Sequence, residues 1–155
     1  MFIGAGRLGF PDSALFAFAL GCDMVNVGRE AMLAAGCIQA MRCHTGRCPT
    51  GVATQSRWLM RGLDPQIKHH PVANYLLILR AELLVALARS CGVAHPALVT
   101  PDHIEIVGER YRATRVAEVF DYAADWPVLS SARHAEIESL QPRPDPAPIG
   151  TPSQS

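Results

Sequence analysis

Residues 1–36, "MFIGAGRLGFPDSALFAFALGCDMVNVGREAMLAAG", decide the fold class. "MFIGAG" (1–6) reads as a fully buried strand running into a glycine turn. "PDSALFAFALG" (11–21) follows as a short helix, with Asp12 or Ser13 as a natural N-cap and Gly21 as its stop. "DMVNVG" (23–28) is a second strand, apolar almost throughout, as parallel strands are when both faces are covered. "REAMLAAG" (29–36) opens a second helix. Strand, turn, helix, repeated, is the grammar of an α/β fold.

Further along, "SRWLMRGLDPQIK" (56–68) reads as a helical turn and a proline-marked loop. The longest helix is expected over Val72–Cys91, because Leu76, Leu79, Leu83, Leu87 and Cys91 recur every three or four residues and Gly92 closes the run. "TPDHIEIV" (100–107) predicts a capped turn into a short strand, and "ATRVAEVFDYAADW" (113–126) a final small helix. Five prolines in residues 141–155, with no apolar periodicity, predict a disordered tail. No internal repeat is present. Two strands apolar on both faces cannot be buried by the helices available and would expose sheet edges, so the chain reads as the end of something larger.

Composition narrows the function. The 155 residues are 49% hydrophobic and carry 14 basic and 14 acidic side chains, which suits one soluble unit. That balance, with no block of like charge and with aromatic residues scattered, argues against a nucleic-acid surface. Arg80 and Glu82 interrupt the most apolar helix well short of a spanning length, so no membrane association is expected. "LFAFALGC" loosely resembles a lipoprotein cleavage site, but its apolar run is short, Pro11 and Asp12 precede it, and only Arg7 is basic.

Five cysteines, three of them crowded at C-x5-C-x4-C in "CIQAMRCHTGRCPTGVATQ" (37–55), do not suit a secreted disulfide scaffold. A cytoplasmic protein with a cysteine-ligated group fits better. Cys22, between a helix stop and a strand, and Cys91, on the apolar stripe, read as core residues. Cys37, Cys43 and Cys48 lie in a polar, glycine-containing loop with Arg42, His44 and Arg47. Zinc needs a fourth ligand, and His44 beside Cys43 is badly placed to share one tetrahedron with it. Thiolates on a glycine loop, with proline directly after the last, suit an iron–sulfur cluster, and three ligands suit one lacking an iron. Three unrelated loop thiols remain the plain alternative.

The run "IGAGRLGFPDSALFAFALGCDMVNVGREAMLAAGCIQAMRCHTGRCPTGVATQ" closely resembles the end of the FMN-binding synthase domain of glutamate synthases, over roughly residues 2–107. The resemblance implies the C-terminal portion of an FMN-binding (β/α)8 TIM barrel, with "MFIGAG" as strand seven and "DMVNVG" as strand eight, followed by a C-terminal extension with a short helix at 108–140 and the tail at 141–155. It implies FMN and a [3Fe-4S] cluster as cofactors, with Cys37, Cys43 and Cys48 as cluster ligands. Barrel phosphate sites commonly use the loops after strands seven and eight, here "GAGRLG" and "GREAM". Gly4 and Gly6 are expected to let backbone approach the phosphate, and Gly28 and Arg29 to present N–H groups at a helix start. The implied reaction is reductive amination of 2-oxoglutarate to glutamate, in glutamate biosynthesis. No catalytic acid, base or 2-oxoglutarate ligand can be assigned. The implied partners are the N-terminal barrel half, as a separate chain or otherwise, and an electron-donor protein; the alternatives are a non-catalytic iron–sulfur or interaction module and an inactive truncated product.

Overall fold

The computed structural model describes residues 1–123, 126 and 129–140, leaving aside the side chains of 84–86. The expected proline-rich tail lies outside the described residues. The chain is mixed α/β: β1 (Ile3–Ala5), α1 (Pro11–Ala19) and β2 (Met24–Asn26) form a strand–helix–strand unit. The strands are parallel, with Ile3 opposite Met24 and Ala5 opposite Asn26. Pro11 occupies the first helical position of α1, where its missing N–H is no loss, and Phe10 rather than Asp12 or Ser13 is the N-cap. At the other end Gly21 adopts φ +96°. Its N–H bonds the Phe18 carbonyl at 2.9 Å and the Cys22 N–H bonds Ala17 at 3.0 Å, closing the helix as a Schellman motif. The six-residue α2 (Arg29–Ala34) ends the same way on Gly36 and Cys37.

The strands are not buried on both faces as their composition suggests. Ile3 is 58% and Met24 52% exposed. Two paired strands leave both outer edges open, and the available helix covers only part of the sheet. Among the described residues the core lies elsewhere, where Ala14, Leu15 and Ala19 of α1 meet Leu83 and Val99, with Phe18, Val25, Leu87 and Cys91 at its margin. Cys91 is thus a core residue, as its place on the apolar stripe suggested.

The long helix starts earlier than its leucine pattern indicated. α3 spans Pro65–Ala81, passes through a π-helical segment, Glu82–Leu87, and ends in α4 (Ala88–Ser90). Asp64 caps it by accepting the Gln66 N–H at 2.9 Å, so "LDP" is a helix start and not a loop. Pro71, just before the expected start at Val72, lies inside the helix.

Beyond it, a turn at Pro101–His103, capped by Thr100, leads into β3 (Glu105–Val107). β3 pairs antiparallel with β4 (Ala113–Arg115), followed by the short α5 (Val116–Val119) and by α6 (Ser131–Ser139). The single helix expected over 113–126 is therefore a strand and one helical turn. Its first three residues are taken by the β3 ladder, and Val116 then bonds the Ile104 carbonyl at 2.9 Å. This segment packs back on α1: the Tyr122 hydroxyl donates to the Leu20 carbonyl at 3.1 Å, and Trp126 lies 3.6 Å from where a side chain on Gly21 would stand. Among the described residues no helix is long and apolar enough to cross a membrane.

Candidate functional site

Both parallel strands end at a cavity of about 400 Å³ lined by Gly6, Arg7, Asn26, Gly28, Arg29 and Glu30, with Ala5 at its base. The crossover topology places the two loops side by side, since parallel strands direct their C-terminal ends to one edge. Gly6 has φ +122°, and a side chain on either Gly6 or Gly28 would meet no atom within 4 Å. Open space beside two glycine backbones, with two arginines in the lining, makes a cradle for an anion. Arg7 follows Gly6 in the left-handed region at φ +59°, a conformation uncommon outside glycine and found often at functional sites.

Three of the four residues expected at the phosphate therefore line one cavity: Gly6, Gly28 and Arg29. Gly4 does not. A β-carbon on Gly4 would stand 2.9 Å from the Cys22 sulfur and 3.0 Å from Leu8, so its smallness serves packing between strand and helix. Arg7 and Glu30 were not picked out from sequence. Arg7 could have been, as the one cation within a glycine turn. Glu30 looks like any acidic residue in a first helical turn, yet it is only 6% exposed.

Two contacts hold the loops in place. The Tyr75 hydroxyl, from α3, donates to the Gly9 carbonyl at 2.6 Å. Burial, and then the negative charge of Glu30, push the Tyr75 phenol above its ordinary value. Glu30 lies flat on Gly9, where any β-carbon would stand 2.5 Å from its Oε2.

The cysteine segment begins where α2 ends. Between Gly36 and Gly51 five residues adopt positive φ: Gly36, Gln39, Met41, Gly46 and Gly51. The loop is held by its own hydroxyls, with Thr45 donating to the Arg42 carbonyl at 2.8 Å and Thr54 to the carbonyl of Gly46. Gly51 and Gly62 press backbone against backbone: a β-carbon on Gly51 would lie 2.5 Å from the Leu59 oxygen, and one on Gly62 would lie 2.9 Å from the Thr50 oxygen.

The three thiols sit differently. Cys37 closes the Schellman end of α2, and its sulfur accepts the Gln39 N–H at 3.4 Å. Cys43 is exposed at the start of a helical turn, Cys43–Thr45. Cys48 is 5% exposed, with its sulfur 3.4 Å from the Thr50 hydroxyl. That hydroxyl, with the N–H groups of Ala53, Thr50 and Val52, pulls the Cys48 thiol from 9.0 down to about 7 against the opposing effect of burial. Val52 and Ala53 also line a second cavity of about 400 Å³ that opens onto Cys43. Among the described residues no three His, Cys, Asp or Glu side chains converge closely enough to hold a metal ion, so the structure does not draw the three sulfurs together. Three thiols on one loop are a donor set chemically suited to a thiolate-bound group, and the surroundings of Cys48 favour its thiolate.

A family profile described as "Conserved region in glutamate synthase" matches residues 1–93. The chain belongs to the glutamate synthase family. It is 42% identical over 100 residues to the glutamate synthase large subunit-like protein YerD of Bacillus subtilis (strain 168), a match spanning 64% of this chain and 19% of that protein. The archaeal glutamate synthase [NADPH] of Methanocaldococcus jannaschii is 40% identical over 74 residues, covering 48% of this chain and 14% of the relative. The ferredoxin-dependent glutamate synthase of Cyanidium caldarium is 40% identical over 84 residues, 54% of this chain and 5% of the relative. The chain thus spans a fifth or less of the length of these relatives. No solved structure matches it.

Proposed function

We propose that this glutamate synthase-family chain supplies the phosphate-binding edge and the thiol loop of an FMN- and iron–sulfur-dependent oxidoreductase acting in glutamate formation. The observation that carries the reading is the cavity at the ends of β1 and β2, where Gly6, Gly28, Arg7 and Arg29 form an anion cradle directly ahead of the cysteine loop. Arg7 and Arg29 hold the phosphate of FMN by charge-assisted hydrogen bonds, and the two glycines let backbone approach it. Cys37, Cys43 and Cys48 hold a [3Fe-4S] cluster. When bound, the flavin supplies hydride transfer and the cluster one-electron relay; the chain's part is to fix both. The N–H groups around Cys48 favour its thiolate, the form that ligates iron.

On this reading β1 and β2 are the last two strands of a (β/α)8 barrel. Exposed Phe2, Ile3 and Met24 support it, since they are the surface that neighbouring barrel elements cover. The remainder of such a barrel is the partner required for activity, and it carries the 2-oxoglutarate pocket. An electron donor completes the cycle, and the setting is the cytoplasm.

The test is anaerobic reconstitution of the full chain with iron and sulfide, read by visible absorption and low-temperature EPR, with FMN binding followed separately by flavin fluorescence. A sulfur-to-iron charge-transfer band and an oxidised-cluster signal, both lost in Cys43→Ser, are expected. Iron-free protein, or a signal that survives in Cys43→Ser, would refute the cluster assignment. FMN binding unaffected by Arg29→Ala together with Arg7→Ala would refute the phosphate assignment.

A further inference from the structure

Between the end of α2 and the first half of α3 lies a groove of about 430 Å³ that shares no residue with the strand-end cavity or with the three thiols. Ala35, Leu63, Val72 and Leu76 are among its walls, and the only polar side chains in its lining are Lys68 and His69. Leu76 is 48% exposed, so the groove offers water an apolar surface that an apolar group would cover. His69 is a fixed wall. Its Nδ1 lies 2.8 Å from the Pro65 carbonyl, which can only accept, and its ring stacks on His70 with centroids 3.9 Å apart. Lys68 Nζ lies against Gly36, which follows α2: a β-carbon there would stand 2.9 Å from it. The carbonyl end of a helix favours a cation, which accounts for where the ammonium sits. It does not supply a counter-charge, and among the described residues no carboxylate pairs with Lys68.

We infer that this groove binds a small amphiphilic carboxylate, with a short alkyl chain along Val72 and Leu76 and its head on Lys68. Charge complementarity decides the occupant. A neutral apolar body leaves the ammonium without a partner, a cation is repelled by it, and a bare anion gains nothing from apolar walls. A carboxylate on an alkyl chain gains from both. The volume lies near the lower end of the roughly 300–1,000 Å³ common for small-molecule pockets, which suits a ligand of this size. Lys68 then selects the head group, and the apolar walls select the chain. The site is independent of the phosphate and cluster readings above.

The experiment titrates the full, isotope-labelled chain with hexanoate, 1-hexanol, hexylammonium and acetate, following by NMR the amide signals of Ala35, Gly36 and Ala73, with Gly6 and Gly28 reporting on the strand-end cavity. Hexanoate is expected to bind about fivefold more tightly than 1-hexanol, the effect of one partly exposed ion pair, with hexylammonium weaker than either. Acetate should bind more than about tenfold more weakly than hexanoate, since each lost methylene costs up to about fourfold when buried. Lys68→Met keeps the bulk of the stem and removes the charge. In that variant hexanoate falls to the level of 1-hexanol or below, while 1-hexanol keeps its affinity; a merely structural role for Lys68 would shift all the ligands together. Equal binding of the three six-carbon compounds to the wild-type chain would overturn the inference and mark the groove as an apolar docking face for polypeptide. Hexanoate shifts confined to Gly6 and Gly28, or no shift with any compound, would overturn it as well. Should Lys68→Met fail to fold, the comparison on the wild-type chain decides alone.

Discussion

Gly51→Ala is the substitution that most directly probes the cysteine loop. Gly51 has φ +79°, so any L-residue there is strained by about 1–2 kcal/mol. Its β-carbon would also stand 2.5 Å from the Leu59 carbonyl oxygen and 2.9 Å from the Leu63 nitrogen. Both are backbone atoms that cannot turn aside as a side chain would, and overpacking of this kind costs about 1–3 kcal/mol. The total, about 2–5 kcal/mol, is a large share of the roughly 5–15 kcal/mol that a domain has. Two controls separate the contributions. Gly46, at φ +68°, has no atom within 4 Å of where its β-carbon would stand, so Gly46→Ala carries the conformational strain alone. Gly62, whose β-carbon would meet the Thr50 oxygen at 2.9 Å, has no positive φ, so Gly62→Ala carries the clash alone. The assay is urea unfolding by circular dichroism, with the rate of Cys48 alkylation as a local probe, since a displaced loop uncovers that thiol. Equal stabilities for Gly51→Ala and Gly46→Ala would refute the close approach of loop and turn.

Four other outcomes follow from the same geometry. Metal-free Cys48 should be alkylated with a midpoint near pH 7, and Thr50→Val should move that midpoint upward; a wild-type midpoint at 9.0 would contradict the hydrogen bonds drawn around the sulfur. Because folding lowers this thiol's pKa, it contributes stability that is fully present above pH 9.0 and is lost as pH falls through about 7. For His95 it is burial that holds the pKa below its ordinary 6.5, and its Nδ1 accepts the Ala97 N–H at 3.1 Å. The neutral ring is therefore the folded form, and that stability is present above pH 6.5 and lost as pH falls below it; melting temperatures between pH 8 and 5 should show this slope flattened in His95→Asn, and an unchanged slope would count against it. Tyr122→Phe removes the bond to the Leu20 carbonyl and should cost about 1 kcal/mol in urea unfolding, with no loss showing that the C-terminal segment does not brace α1. Asp64→Ala removes the cap of α3 and should also cost about 1 kcal/mol, an expectation that unchanged helicity and stability would overturn.

Where local chemistry alone decides the backbone, the sequence is a good guide. Gly21, Gly36 and Gly92 end helices because a left-handed residue is needed there, and the two apolar runs before the glycine turns are strands. Gly6, Gly28 and Arg29 are brought to one cavity because parallel strands must end together. Other features depend on distant partners and leave no local trace. Ala113–Arg115 is helix-like in composition and becomes a strand only because Glu105–Val107 is there to pair with it. α6 is announced only by Ser130, whose side chain accepts the Arg133 N–H at 3.3 Å. Gly4 resembles a phosphate-loop glycine in sequence, and only the position of the Cys22 sulfur shows that it answers to packing. Glu30 is polar by type and buried by circumstance.

Helix α2 has a consequence that its brevity makes definite. Its N-cap, Gly28, lines the cavity at the strand ends, and the residue that closes its far end, Cys37, carries the first thiol of the loop. Six helical residues rise about 9 Å, and each residue turns the helix by about 100°. The helix thus acts as a ruler with integer graduations. Adding or removing one residue displaces the thiol by only about 1.5 Å but swings it through more than a quarter circle about the helix axis. Separation and heading cannot be tuned independently, so the stretch between Gly28 and Cys37 should tolerate changes of side chain far better than changes of length.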